Sequence, residues 1–218
     1  MDPVLSDPTF DDPAIQAAYN ELQPALKQLF RADTKESEMA QMAILNNMEP
    51  VPHPLPDVLD SMKTAPNIPP MMHLGYRIHD DDVRQVWHNY YADKQVDSES
   101  IDEAYDKWSE ELAAILECAE LDSQKEWKAQ FGRKKTSMIQ CRPGYPNINL
   151  WLVSVVDSWD WSGMSETVRK AVERDAERVK KLLGQEEAPK WYLDSELTWW
   201  TQPEEMTRVM QAYHQRRR

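Results

Sequence analysis

Residue types that bind metal ions gather in one part of this 218-residue sequence, between positions 53 and 88. Imidazole nitrogens and carboxylate oxygens are ligands of catalytic metals, which activate a bound water for hydrolysis. The group contains four of the five histidines, and its members are His53, His73, His79, Asp80, Asp81, Asp82 and His88. A metal-dependent hydrolase is therefore the enzymatic function to weigh first.

The adjacent pair His79 and Asp80, with His53 upstream, resembles the minimal metal site of the HD phosphohydrolases. That resemblance implies a helical hydrolase of phosphorylated small molecules, with His53, His79 and Asp80 holding the metal and His79 and Asp80 at the catalytic centre. So short a motif recurs by chance, however. The run of aspartates also has a structural explanation, because carboxylates at a helix start cap its free amides and complement its dipole. We therefore keep the hydrolase as the alternative function.

Other catalytic signatures are missing from the sequence. Cys118 and Cys141 lack metal-type spacing and have no neighbouring histidine, and no nucleophile elbow or glycine-rich phosphate loop occurs. We expect no catalytic residue, no resident metal and no cofactor. The N-terminus lacks a secretory pattern and no long apolar run occurs, which predicts a cytoplasmic or nuclear protein without a membrane span.

The net charge of −13 is unevenly distributed along the chain, and the first 60 residues are strongly acidic. Residues 1–60 hold eleven Asp and Glu against three Lys and Arg, a balance of 3 − 11 = −8. Such a surface disfavours direct nucleic-acid binding, which needs cationic side chains. We predict a protein partner with a basic surface, and an electrostatic rim formed by Asp11, Asp12, Glu36 and Glu38.

The nine tryptophans, none before Trp87, fall into two groups. Five share apolar helical faces and are predicted to be core: Trp87, Trp108, Trp127, Trp151 and Trp159. Four lie in connections, where packing does not demand so large a ring: Trp161, Trp191, Trp199 and Trp200. Aromatic side chains of that kind are frequent interface anchors, so we predict that these four bind the partner. The other interpretation is that these connections fold back and cover the ends of the core.

The elements that must position these residues are predicted to be helical. Asp12 and Pro13 begin an amphipathic helix that Pro24 divides, and residues 165–183 form a charged helix that stops at Gly184. Residues 148–161 fit either a strand or a buried helix, and we favour the helix because no neighbouring strand is evident. The sequence predicts an all-α fold, an irregular bundle of about seven to eight helices with a proline-rich extended arm.

Three parts follow from these patterns. They are an acidic N-terminal helical hairpin over residues 1–48, a proline-rich linker over 49–74 and a tryptophan-rich helical domain over 75–218. The function they favour is a non-catalytic intracellular protein-binding subunit or adaptor. Its acidic part and its Trp-rich surface would each contact a partner.

Overall fold

A computed structural model of the protein describes residues 8–27, 48–79, 122–131, 140–143, 150–194 and 200–201. The α-helices are α1 (Pro13–Glu21), α2 (Asp122–Phe131), α3 (Ser158–Gly163) and α4 (Glu166–Leu182). The strands are β1 (Val51–Pro52), β2 (Met72–His79), β3 (Gln140–Pro143), β4 (Leu150–Asp157) and β5 (Lys190–Leu193). Single turns of 3-10 helix cover Pro24–Lys27 and Asp57–Leu59. The all-α prediction is therefore wrong, because the described residues include an antiparallel sheet and only four α-helices.

The sheet has the strand order β1-β5-β2-β4-β3. Strands β3 and β4 are antiparallel, with Gln140 opposite Ser154 and Pro143 opposite Trp151. Nearly every residue of β2 and every residue from 152 to 156 of β4 is buried, so these strands do not alternate between core and solvent. Strands covered on both faces read as continuous apolar runs, and a run of that kind has no period-2 signal.

The helix predicted over residues 148–161 is instead strand β4 followed by the short helix α3. Val153, Val155 and Val156 are buried in the strand, where a branched Cβ packs well on the pleated surface. Its neighbouring strands, which the sequence does not reveal, are β2 and β3. Strand β2 directly follows the proline-rich stretch, and β3 ends in a proline. Because proline is unfavourable within strands, neither segment has a clear strand pattern in the sequence.

The chain divides into two compact units that interleave along the sequence, whereas the sequence divisions at residues 48 and 74 are contiguous. The first unit contains residues 1–73, 158–163 and 191–218. In it the carboxylate of Asp12 accepts a hydrogen bond from the Ala14 amide and caps α1, with Pro13 in the first turn. Helix α1 buries Ile15 and Tyr19 and ends before Pro24, as its sequence predicts.

The second unit contains residues 74–157 and 164–190. Ser165 caps α4, and Gly184 ends its last turn with a φ of 64°, a left-handed conformation that glycine adopts without strain. Helix α4 packs against α2, where the buried carboxylate of Asp175 accepts a hydrogen bond from the Ser123 amide at 3.0 Å. Tyr76 on β2 donates its hydroxyl to the Ala176 carbonyl of α4 at 3.1 Å.

Among the residues that the structure describes, no helix has the length and apolarity needed to cross a membrane.

Candidate functional site

Three of the four tryptophans predicted to bind a partner are buried within the first unit. Trp161 is 5% exposed, Trp191 is 0% exposed and Trp200 is 4% exposed, while Trp199 lies outside the described residues. A partner would reach the three buried rings only after this unit rearranged. A partner contact by these tryptophans stays a prediction, and in this structure their rings belong to the core.

Trp200 forms an aromatic cluster with two residues of the N-terminal segment. Its ring centroid lies 5.5 Å from that of Phe10 and 5.4 Å from that of Tyr19, in edge-to-face arrangements. Its indole N–H donates to the Leu26 carbonyl at 2.8 Å. Edge-to-face rings gain about 0.5–1.5 kcal/mol beyond the area they bury. The cluster therefore fixes α1 and the residues immediately before it against the C-terminal part of the first unit.

A second cluster joins His53 to the two other buried tryptophans. The centroids of His53 and Trp161 are 5.4 Å apart, and those of Trp161 and Trp191 are 5.8 Å apart. The Trp191 indole can only donate, and its Nε1 lies 3.2 Å from Nδ1 of His53. That ring nitrogen is therefore an acceptor occupied by tryptophan, which leaves only Nε2 for any ligand role.

The other residues of the hydrolase prediction are not brought together by what the structure describes. His79 is the exposed last residue of β2 and belongs to the second unit, whereas His53 belongs to the first. Asp80 lies outside the described part of the chain. Within the described ranges no group of three or more His, Cys, Asp or Glu side chains is placed to hold a metal ion. The metal site stays a prediction without geometric support.

Sequence reasoning missed a buried pair formed by His73 and Asp194. The Nε2 atom of His73 lies 2.7 Å from Oδ2 of Asp194, with the two side chains 3% and 0% exposed. The Asp194 amide donates to the Met71 carbonyl at 2.8 Å, which aligns the end of β5 with the start of β2. Because the partners are 121 residues apart, no local pattern relates them. A reactant from solvent has no access to so buried a pair, so we assign it a structural role.

The acidic rim is described at two of its four predicted positions. Asp11 and Asp12 are exposed at the start of α1, and Glu36 and Glu38 lie outside the described residues. The aromatic cluster of Phe10, Tyr19 and Trp200 supports the chain on either side of these aspartates. The described carboxylates are therefore presented on a packed base.

The exposed face of α4 carries charges of both signs in the second unit. It borders an open groove of about 500 Å³ that is lined by Lys170, Glu173, Arg174, Glu177, Arg178 and Lys181. At its N-terminal end Lys170 and Glu166 form an ion pair of 2.6 Å. The hydrogen bond from Lys170 lowers the pKa of Glu166, and the hydrogen bond to Glu166 raises the pKa of Lys170. Mixed charges of this kind are typical of a solvated helix face.

Comparison with protein-family models, curated proteins and solved structures found no match.

Proposed function

We propose that the protein is a non-catalytic protein-binding subunit or adaptor whose acidic N-terminal part engages a partner with a basic surface. The observation that supports this proposal best is the exposure of Asp11 and Asp12 on a packed base, within a 60-residue segment that carries a net charge of −8.

The base matters because binding costs less when the contacting groups are already ordered. Asp12 is fixed by its hydrogen bond to the Ala14 amide at 2.8 Å. The helix that follows is held by its buried Ile15 and Tyr19. The Asp12 carboxylate thus loses little conformational freedom when a partner binds.

Residues 1–60 carry a net charge of −8, which favours a basic partner. Complementary charge accelerates encounter with a basic partner and suppresses binding to acidic ones. The interaction should weaken as salt rises, because the Debye length falls to about 8 Å at physiological ionic strength. Salt dependence is therefore a signature of the proposed contact.

The test is affinity purification from native extract with a charge-neutralised variant. Asp11→Asn with Asp12→Asn removes two charges, while asparagine at position 12 still caps the helix. A matched control, Glu186→Gln with Glu187→Gln, removes two exposed charges from the second unit. Mass spectrometry should show a stoichiometric basic partner on the wild-type protein and the control, at reduced level on the aspartate variant and at high salt. Equal recovery on both variants, or no stoichiometric partner, would refute the proposal.

A further inference from the structure

Met62 is the one large hydrophobic side chain that is exposed among the described residues. Its exposed fraction is 71%. It lies in residues 60–67, here called the Met62 loop, which connects the 3-10 turn Asp57–Leu59 to the chain leading into β2. A single exposed apolar side chain is common on protein surfaces. What distinguishes this one is the loop that carries it.

The backbone of the Met62 loop is fixed by hydrogen bonds within the first unit. The Met62 amide donates to Oδ1 of Asp60 at 2.9 Å, and the amides of Lys63 and Thr64 donate to the Asp60 carbonyl at 3.0 and 3.1 Å. The Ser61 amide donates to the hydroxyl of Ser162 at 3.1 Å. Every amide from Asp60 to Thr64 therefore donates to a protein acceptor, and none depends on solvent.

Three polar side chains of the loop point into the unit. Asp60, Thr64 and Asn67 are 7%, 1% and 4% exposed. The Thr64 hydroxyl donates to the Asn67 carbonyl at 2.9 Å. Ile68, which follows Asn67, pairs with Thr201 in an antiparallel bridge. Buried polar groups with their partners in place rigidify a structure. The buried polar side chains thus fix the loop to the first unit, while the Met62 side chain remains exposed to solvent.

An outward methionine on an ordered loop has the properties of a binding anchor. The thioether chain is flexible and polarizable, so it adapts to apolar pockets of irregular shape, and methionine is enriched in protein interfaces. Because the backbone beneath it is already ordered, a partner would have to immobilise only one side chain.

The loop is also linked to the acidic segment. The side-chain amide of Asn67 donates to the Thr9 carbonyl at 2.9 Å. Thr9 precedes Asp11 by two residues, which is about 7 Å of chain. The apolar anchor and the exposed carboxylates thus lie on directly connected segments of one unit.

We infer that Met62 is the apolar anchor of the partner-binding surface and inserts into an apolar pocket that has basic residues at its rim. This inference rests on the proposed function for the charge of the partner. The position and order of the anchor come from the Met62 loop itself.

The experiment places a photoreactive benzoylphenylalanine at position 62 of the full-length protein and illuminates it in native extract. The same group at the exposed position of Glu186 is the control. The protein captured at position 62 is then purified and titrated against Met62→Leu and Met62→Ser. Leucine keeps the apolar volume and should bind within about threefold of wild type. Serine should weaken binding about tenfold to a hundredfold without changing its salt dependence, as expected for loss of one buried apolar side chain.

Each result bears on the inference separately from the proposed function. A partner that co-purifies in an Asp11- and Asp12-dependent manner, with no adduct at position 62 or with unchanged affinity for Met62→Ser, overturns the inference and leaves the proposed function intact. An adduct that forms equally in the Asp11→Asn, Asp12→Asn background keeps Met62 as anchor and refutes the acidic contact. An adduct between two copies of this chain, or no adduct and no partner, overturns the inference. Thermal melting of both Met62 variants checks that the first unit is folded.

Discussion

Gly75 lies in strand β2 beside the backbone of the neighbouring strand β4, and we expect Gly75→Ala to destabilise the second unit. A Cβ atom at this position would overlap the carbonyl oxygen of Val153. It would also lie 2.9 Å from the carbonyl carbon of Val153 and 3.1 Å from Cα of Ser154. All three atoms belong to the backbone of β4, so no side-chain rotation can relieve the overlap.

The size of the effect follows from what must move. Ordinary carbon contacts are about 3.5–4.0 Å, so β2 and β4 would have to separate by roughly 1 Å. Overpacking a core costs about 1–3 kcal/mol, and each weakened ladder hydrogen bond adds about 1 kcal/mol. We therefore expect a loss of about 3–5 kcal/mol. At 2–4 °C per kcal/mol for a chain of this size, the Tm would fall by roughly 6–20 °C.

Urea unfolding and calorimetry of Gly75→Ala and Gly163→Ala would test this reasoning. Gly163 ends helix α3 and has no atom within 4 Å of an added Cβ. Alanine there should leave the stability within about 1 kcal/mol of wild type, in the stabilising direction, because alanine loses less entropy in a helix than glycine. If the two variants unfold at the same urea concentration, the close approach of β2 and β4 is wrong.

Two further outcomes concern polar pairs. Asp194→Ala removes the acceptor that lies 2.7 Å from His73, and urea unfolding should show a loss of stability of about 1–3 kcal/mol. Asp194→Asn keeps an oxygen acceptor and should lose less stability. Equal losses for the two variants would contradict the His73 contact as the cause. Carbon-detected NMR should show the pKa of Glu166 below its ordinary value of 4.5, and Lys170→Met should raise it, because Lys170 supplies the hydrogen bond that lowers it. Since the folded pKa of Glu166 is the lower one, its contribution to stability is present above the unfolded pKa and is lost as pH falls through the folded pKa; a Glu166 pKa unchanged by Lys170→Met would refute this assignment.

Helices α1 and α4 could be predicted because their signals are local. Asp12 with Pro13, Ser165 and Gly184 are each placed by contacts within a few residues of the helix they begin or end. The sheet could not be predicted in that way. Strands β2 and β4 are buried on both faces, and a buried apolar run is consistent with either a helix or a strand. Whether such a run forms a strand depends on the strands that pair with it. For β4 these are β2, which contains histidine and glycine, and β3, which ends in proline, so neither is evident from the sequence.

The surface was harder to predict than the helices because it depends on which connections fold inward. Asp11 and Asp12 could be proposed from charge alone, and the structure leaves both exposed. The burial of Trp191 and Trp200 follows from contacts with His53 and with residues 10, 19 and 26, which are far away in sequence. No sequence pattern distinguishes an aromatic connection that closes a core from one that meets a partner.

The indole N–H groups give a physical reason for tryptophan at three positions of the first unit, one from the predicted core group and two from the connections. Trp159 donates to the Pro69 carbonyl at 2.9 Å, Trp191 donates to His53, and Trp200 donates to the Leu26 carbonyl. Each acceptor lies at least 90 residues away along the chain. A large ring with one polar atom can thus bury apolar area and also satisfy an acceptor in a distant irregular segment. Because the described connection tryptophans are buried within the first unit, the side chains open to a partner there are exposed ones such as Asp11, Asp12 and Met62.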